Sequence, residues 1–70
     1  MERSPVESSV IASIGYDAAT SVLELEFHNG GVYRYFLVPP SVHQALAGAA
    51  SIGRAFQELI RDRYRAERID

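Results

Sequence analysis

Three groups of residues in this chain have the types and spacing to engage a ligand. The first is Tyr33-Arg34-Tyr35, two aromatic rings flanking a guanidinium. On a strand, such rings stack on bases while the arginine meets phosphate, as in single-strand nucleic-acid binders. The structural alternative is that both tyrosines plug the core with their hydroxyls at its rim, while Arg34 pairs with Glu26. The residues favour that alternative, because Glu24 and Glu26 surround Arg34 with negative charge that repels phosphate. The second group is Ser51-Ile52-Gly53-Arg54. At a helix start it offers free N–H groups, a hydroxyl and a cation to an anion, with a glycine that permits close approach. Its commoner use is an ordinary N-cap with Gly53 packed against a neighbouring element. The third is Arg54, Arg61, Arg63, Arg65 and Arg68 with Tyr64, a set that can follow a phosphate backbone. Glu58, Asp62, Glu67 and Asp70 interrupt it, as on a solvated charged face.

Enzymatic readings fail on inventory. The chain has no cysteine, which excludes disulfides, thiolate metal sites and thiol nucleophiles. Its histidines, His28 and His43, have no metal-ligand spacing, and a His28–Glu26 pair makes at most a partial site. Ser8 and Ser9 lack a nucleophile-elbow context and an identifiable base. Gly30-Gly31 belongs to a hairpin rather than to a phosphate-cradling loop between strand and helix. No catalytic residue, metal or cofactor is expected.

The elements that position these residues follow from periodicity. Residues 1–7 are polar, contain Pro5 and read as a flexible tail ahead of a single domain over 8–69. Residues 8–16 are rich in β-branched and small residues and read as a strand ending at Gly15 and Asp17. Residues 21–28 alternate, with Leu23, Leu25 and Phe27 on one face and Glu24, Glu26 and His28 on the other. Asn29-Gly30-Gly31 is a hairpin turn, and residues 32–38 are a third strand. A three-residue loop at 29–31 sets Phe27 against Tyr33, Leu25 against Tyr35, Leu23 against Leu37 and Glu26 opposite Arg34. A two-residue Asn-Gly turn would instead place Tyr33 beside Glu26. Pro39-Pro40 ends the sheet and opens a short helix with Val42, Ala45, Leu46 and Ala49 on its buried side, closed by Gly48. Ser51 caps a second helix with a stripe of Ile52, Phe56, Leu59 and Ile60, ending near Asp62 before Arg63 would enter that stripe. The expected fold is α+β: a three-stranded antiparallel β-meander followed by two short helices packed on one face, in the order β-β-β-α-α.

Composition sets bounds on partners. Seventy residues with 47% apolar content make one domain, which buries only ~60% of its unfolded surface and would gain from dimerisation. Net charge is −2, which does not announce nucleic acid. Yet residues 1–30 hold one arginine (Arg3) against five acids, residues 31–70 hold six against four, and there is no lysine. Arginine grips phosphate and stacks on rings, although a genome rich in G and C also favours it. The opening residues contain no apolar signal region, and no run approaches the ~20 apolar residues of a membrane span, so a cytoplasmic protein is expected.

Taken in order, these residues match a known pattern. Ser8-Ser9 followed by Ile14-Gly15-Tyr16-Asp17, the Leu-Glu-Leu-Glu-Phe strand at 23–27 and Gly31-Val32-Tyr33-Arg34-Tyr35-Phe36 resemble the KTSC domain family. So does Ser51-Ile52-Gly53-Arg54-Ala55-Phe56 with Ile60 and Tyr64, and together the matches cover roughly residues 6 to 69. The family has a central Tyr-x-Tyr, here Tyr33-Arg34-Tyr35, and occurs alone in bacteria and at the C-terminus of some lysyl-tRNA synthetases. The resemblance implies a non-catalytic domain of unestablished function with a suggested link to tRNA. The expected RNA contacts are Arg34, Arg54, Arg61, Arg63 and Arg65 with Ser51, and Tyr33, Tyr35 or Tyr64 for stacking. The rival expectation is a protein-interaction or homodimer module that uses Val32 and Phe36 on the sheet face opposite the helices.

Overall fold

The computed structural model describes residues 1–70. The alternating segment becomes β3 (Val22–Phe27), the middle of a five-stranded antiparallel sheet ordered β1-β2-β3-β4-β5. Around it lie β2 (Ile11–Asp17) and β4 (Val32–Tyr35), with β1 (Ser4–Pro5) and β5 (Ala66–Arg68) at the edges. Helices α1 (Pro40–Ala47) and α2 (Ile52–Leu59) supply the cover for the core. The α+β class, the antiparallel central meander and the two helices are as expected; the sheet has five strands rather than three.

Both additional strands lie at edges and are fully exposed. Ser4 and Pro5 pair with Ile14 and Ser13, so residues expected as a flexible tail form a sheet edge, where a proline is tolerated. Ala66, Glu67 and Arg68 pair with Tyr35, Arg34 and Tyr33, which turns the expected end of the last helix and tail into strand. Helix α2 ends at Leu59, three residues before the expected stop. The chain reverses through Asp62 at φ 60° and returns beside β4.

The β3–β4 register differs from expectation by two residues: Leu25 faces Tyr33, Leu23 faces Tyr35 and Glu24 faces Arg34. The reason is the turn. Phe27 O accepts from Gly30 N, and Phe27 N donates to Gly31 O, so the loop is 28–30 rather than 29–31. Gly30 takes the positive φ of 99° that closes such a loop, while the Asn29 side chain accepts from Gly31 N. A shift of two preserves side-chain parity. Tyr33 and Tyr35 therefore remain on the helix side, and Arg34 remains on the other.

Strand β4 also stops early. Leu37, expected opposite Leu23, turns out at φ 59° and is 79% exposed, while Val38 takes the buried place and donates to Ser21 O. On β2, a bulge between Ile11 and Ser13 returns Ile11 to the core side opposite Phe27. The core joins Ile11, Ile14, Leu23, Leu25 and Tyr35 from the sheet and Val38 from the loop after it with Leu46, Ile52, Ala55, Phe56 and Ile60 from the helical segment. Ser51 caps α2 as expected, accepting from Arg54 N at 3.3 Å. No helix is long and apolar enough to cross a membrane.

Candidate nucleic-acid interface

The period of two along β3 and β4 puts Leu23, Leu25, Tyr33 and Tyr35 on one side of the sheet, with α2 above them. At the open end of this sandwich the rings meet edge to face. Phe27 lies 5.2 Å from Phe56 and 5.7 Å from Tyr33, and Tyr35 lies 6.0 Å from Phe56. These four rings line a trough of about 350 Å³ whose other walls are Val10, Asn29, Gln57 and Arg61. No carboxylate lines it. The Arg68 guanidinium stands 5.8 Å above the Tyr33 ring, from the neighbouring strand β5.

The tyrosines hold different positions in this trough. Tyr33 is half-buried, whereas Tyr35 is 7% exposed. Neither hydroxyl bonds another group of the chain, and no buried side-chain polar atom lacks a partner. Both hydroxyls therefore reach solvent. Burial, and secondarily its neighbour Tyr33, pushes the Tyr35 hydroxyl up from 10.0 to about 12. It stays protonated at any ordinary pH.

Val10 and Gln57 also line a second hollow of about 430 Å³, so the trough continues along α2 toward its N-terminus. That hollow joins Glu7, Ser8 and Ser9 to Ser51, Gly53 and Arg54, so this end of the surface carries one carboxylate. Gly53 packs closely against Val10, where a Cβ would stand 3.1 Å from Cγ2. Arg54, Gln57 and Arg61 follow one another at helical spacing along the rim, all exposed. Arg61 donates to Gln57 Oε1 at 2.9 Å and lies 3.9 Å from the exposed Asp62 carboxylate.

The remaining expected contacts lie elsewhere. Arg34 is on the opposite side of the sheet and donates to Glu24 at 2.9 Å, not to Glu26. Arg3 binds the second Glu24 oxygen, and the two guanidiniums enclose a carboxylate that is 3% exposed. Burial alone would raise the Glu24 carboxyl, but the hydrogen bonds and charges of Arg34 and Arg3 together outweigh it and hold it below its ordinary 4.5. Arg65 approaches the Phe36 ring at 6.0 Å, away from the trough. Arg63 donates to Glu58 O, and Tyr64 is half-buried against the core. Of the nine expected residues, Tyr33, Tyr35, Arg61, Ser51 and Arg54 share one continuous surface. Arg34, Arg63, Tyr64 and Arg65 do not line it.

Sequence reasoning left Phe27, Asn29, Phe56 and Gln57 out of the site and did not place Arg68 over Tyr33. The first two follow from the corrected turn. Gln57 was detectable as the residue between Arg54 and Arg61 on one helix face. The rival apolar patch is not bare: Val32 is 4% exposed and Phe36 is half-buried. The segment from Met1 to Arg3 crosses the same side at Gly15, where a Cβ would lie 2.6 Å from Glu2 O. His28, exposed, meets Ser8 O at 2.7 Å, and His43 stacks on Tyr16 with ring centroids 4.4 Å apart.

A family model of the KTSC domain matches residues 7–64. The chain belongs to the KTSC domain family. An uncharacterized protein of Stutzerimonas stutzeri is 46% identical to it over the whole of both chains. A lysine–tRNA ligase of Nostoc punctiforme is 41% identical over 63 residues, which are 90% of this chain and 11% of the ligase. A crystal structure of a KTSC domain protein from Yersinia pestis shares the fold with a TM-score of 0.96 and 40% identity, covering 99% of this chain and 97% of that one. KTSC domains of unestablished function thus occur both as whole small chains and as a small part of lysine–tRNA ligases.

Proposed function

We propose that this KTSC domain is a non-catalytic RNA-binding module that holds an unpaired segment in the trough between β4 and α2. The observation that carries the reading is the coincidence of four aromatic side chains with Arg61 in a trough that no carboxylate lines, with Arg68 over the Tyr33 ring beside it. Stacking on an aromatic side chain contributes ~1–3 kcal/mol per base and tolerates sequence. Tyr33, half-buried at the mouth, is the stacking platform, and Arg61 supplies positive charge within the trough itself. Arg68 above Tyr33 and Arg54 along the helix rim meet the flanking phosphates. Glu24, the buried carboxylate, lies on the other side of the sheet between two guanidiniums. A similar stretch within a lysine–tRNA ligase supports a link to tRNA. Such a ligand would put the work of this domain in the cytoplasm.

Two phosphates neutralised on a single strand give a salt slope of about −1.4. Arg54→Ala combined with Arg68→Ala should flatten that slope and weaken binding to single-stranded RNA in fluorescence anisotropy. An unchanged affinity and slope in the double variant would remove this assignment.

A further inference from the structure

The polar groups around the aromatic trough have a common polarity. The Asn29 amide oxygen is occupied by Gly31 N at 3.0 Å, and the Gln57 amide oxygen by the Arg61 guanidinium at 2.9 Å. Both partners are donor-only groups, so the orientation of each amide is fixed and each NH2 remains the free end. Arg61 adds further N–H groups and accepts nothing. Tyr35 is 7% exposed, lines the floor, and its hydroxyl has no partner in the chain. The trough therefore presents N–H donors from both amides and from Arg61, beside a Tyr35 hydroxyl that can donate or accept, and no carboxylate. A base meets these N–H donors best with adjacent acceptors. Guanine offers two, O6 and N7, with no amino group between them, and a guanidinium fork matches that pair. Adenine sets an amino group beside N7, and that group would face the Arg61 guanidinium, which has no acceptor for it.

Resting on the RNA-binding reading above, we propose that the trough selects an unpaired guanine by its O6 and N7 edge and discriminates against adenine. Arg61 supplies the fork, the two amide NH2 groups add donors, and the Tyr35 hydroxyl donates to a base acceptor.

The test uses the whole chain and a uridine-rich single strand carrying one central guanine, compared with the same strand carrying adenine, inosine or 7-deazaguanine. Amide-resolved NMR reports the site and anisotropy the affinity. Guanine should bind about tenfold more tightly than adenine, equivalent to about 1.4 kcal/mol. Inosine, which keeps O6 and N7, should bind like guanine, and 7-deazaguanine should fall toward adenine. Tyr35→Phe, which removes a hydroxyl with no internal partner and leaves the fold intact, should narrow the guanine-to-adenine ratio at least about twofold. Arg61→Lys should narrow it while leaving the salt slope unchanged, since the charge stays and the fork goes. Equal affinity for all four strands, with shifts at Tyr33 and Tyr35, would overturn base selection and leave the RNA reading standing. No binding of any strand at low salt would overturn both.

Discussion

Glu24 is the one buried carboxylate of the domain, 3% exposed, with Arg3 on one oxygen and Arg34 Nε 2.9 Å from the other. Glu24→Gln keeps the shape and removes the charge that both guanidiniums face. Removing one partner of a fully buried pair costs ~3–5 kcal/mol. Here the Arg3 and Arg34 side chains keep 29% and 43% of their surface exposed and can turn toward water. The loss should therefore be smaller, about 1–3 kcal/mol, with each kcal/mol lowering Tm by about 4–8 °C in a domain of this size. The pH dependence has a definite sign. The folded carboxyl titrates below the unfolded value of 4.5, so the unfolded chain takes up the proton first. The contribution of the pair is complete above the unfolded value and is lost as pH falls through the folded one. Urea unfolding of the wild type and of Glu24→Gln, at neutral pH and down the acid limb, measures both effects. The variant should start lower and show a flatter decline. Equal stability at neutral pH, with an acid limb as steep as that of the wild type, would refute the argument that this buried pair stabilises the sheet.

Other positions give separate expectations. Gly15→Ala should detach the N-terminal segment, because a Cβ there would stand 2.6 Å from a backbone oxygen that cannot yield alone; faster amide exchange at residues 13–15, with β4 unaffected, is the expected readout. Ser51→Ala should cost about 1 kcal/mol through the lost cap on α2, and an unchanged urea midpoint would contradict that role. Tyr35, raised to about 12, should ionise only at strongly alkaline pH in an ultraviolet titration. Because its folded value lies above the unfolded 10.0, its contribution is present below pH 10 and declines as pH rises toward 12. Tyr35→Phe should remove that alkaline decline.

The parts of this fold that were legible in the sequence are those written in side-chain periodicity. Alternation at 23–27 fixed which residues face the helices, and Ser51 marked the start of α2. Parity survived even though the turn was placed one residue late, because moving a three-residue loop by one shifts the register by two and returns every side chain to the same face. The edge strands were not legible. Ser4–Pro5 and Ala66–Arg68 bury nothing, so no apolar pattern announces them; they exist through backbone hydrogen bonds to β2 and β4. The site was half legible for the same reason. Tyr33, Tyr35 and Arg54 lie on regular elements and Arg61 in the turn just past α2, so their spacing carried information. Arg68 reaches Tyr33 only because β5 pairs with β4, and the separation of Arg65 from the trough depends on that same pairing. The partner of Arg34 followed from register, and a two-residue error exchanged Glu26 for Glu24. Leu37 was misplaced because a left-handed residue ends β4 where sequence alternation would continue it.

The central claim is that the β4–α2 trough is an RNA-binding surface. An amide-resolved NMR titration of the whole chain with bulk tRNA and with short single-stranded RNA, at low and near-physiological salt, tests it most directly. The account predicts salt-sensitive shifts at Tyr33, Tyr35, Arg54, Gln57, Arg61 and Arg68, with Arg34 and Glu24 on the opposite face unmoved. Shifts confined to that opposite face, or none even at low salt, would contradict it.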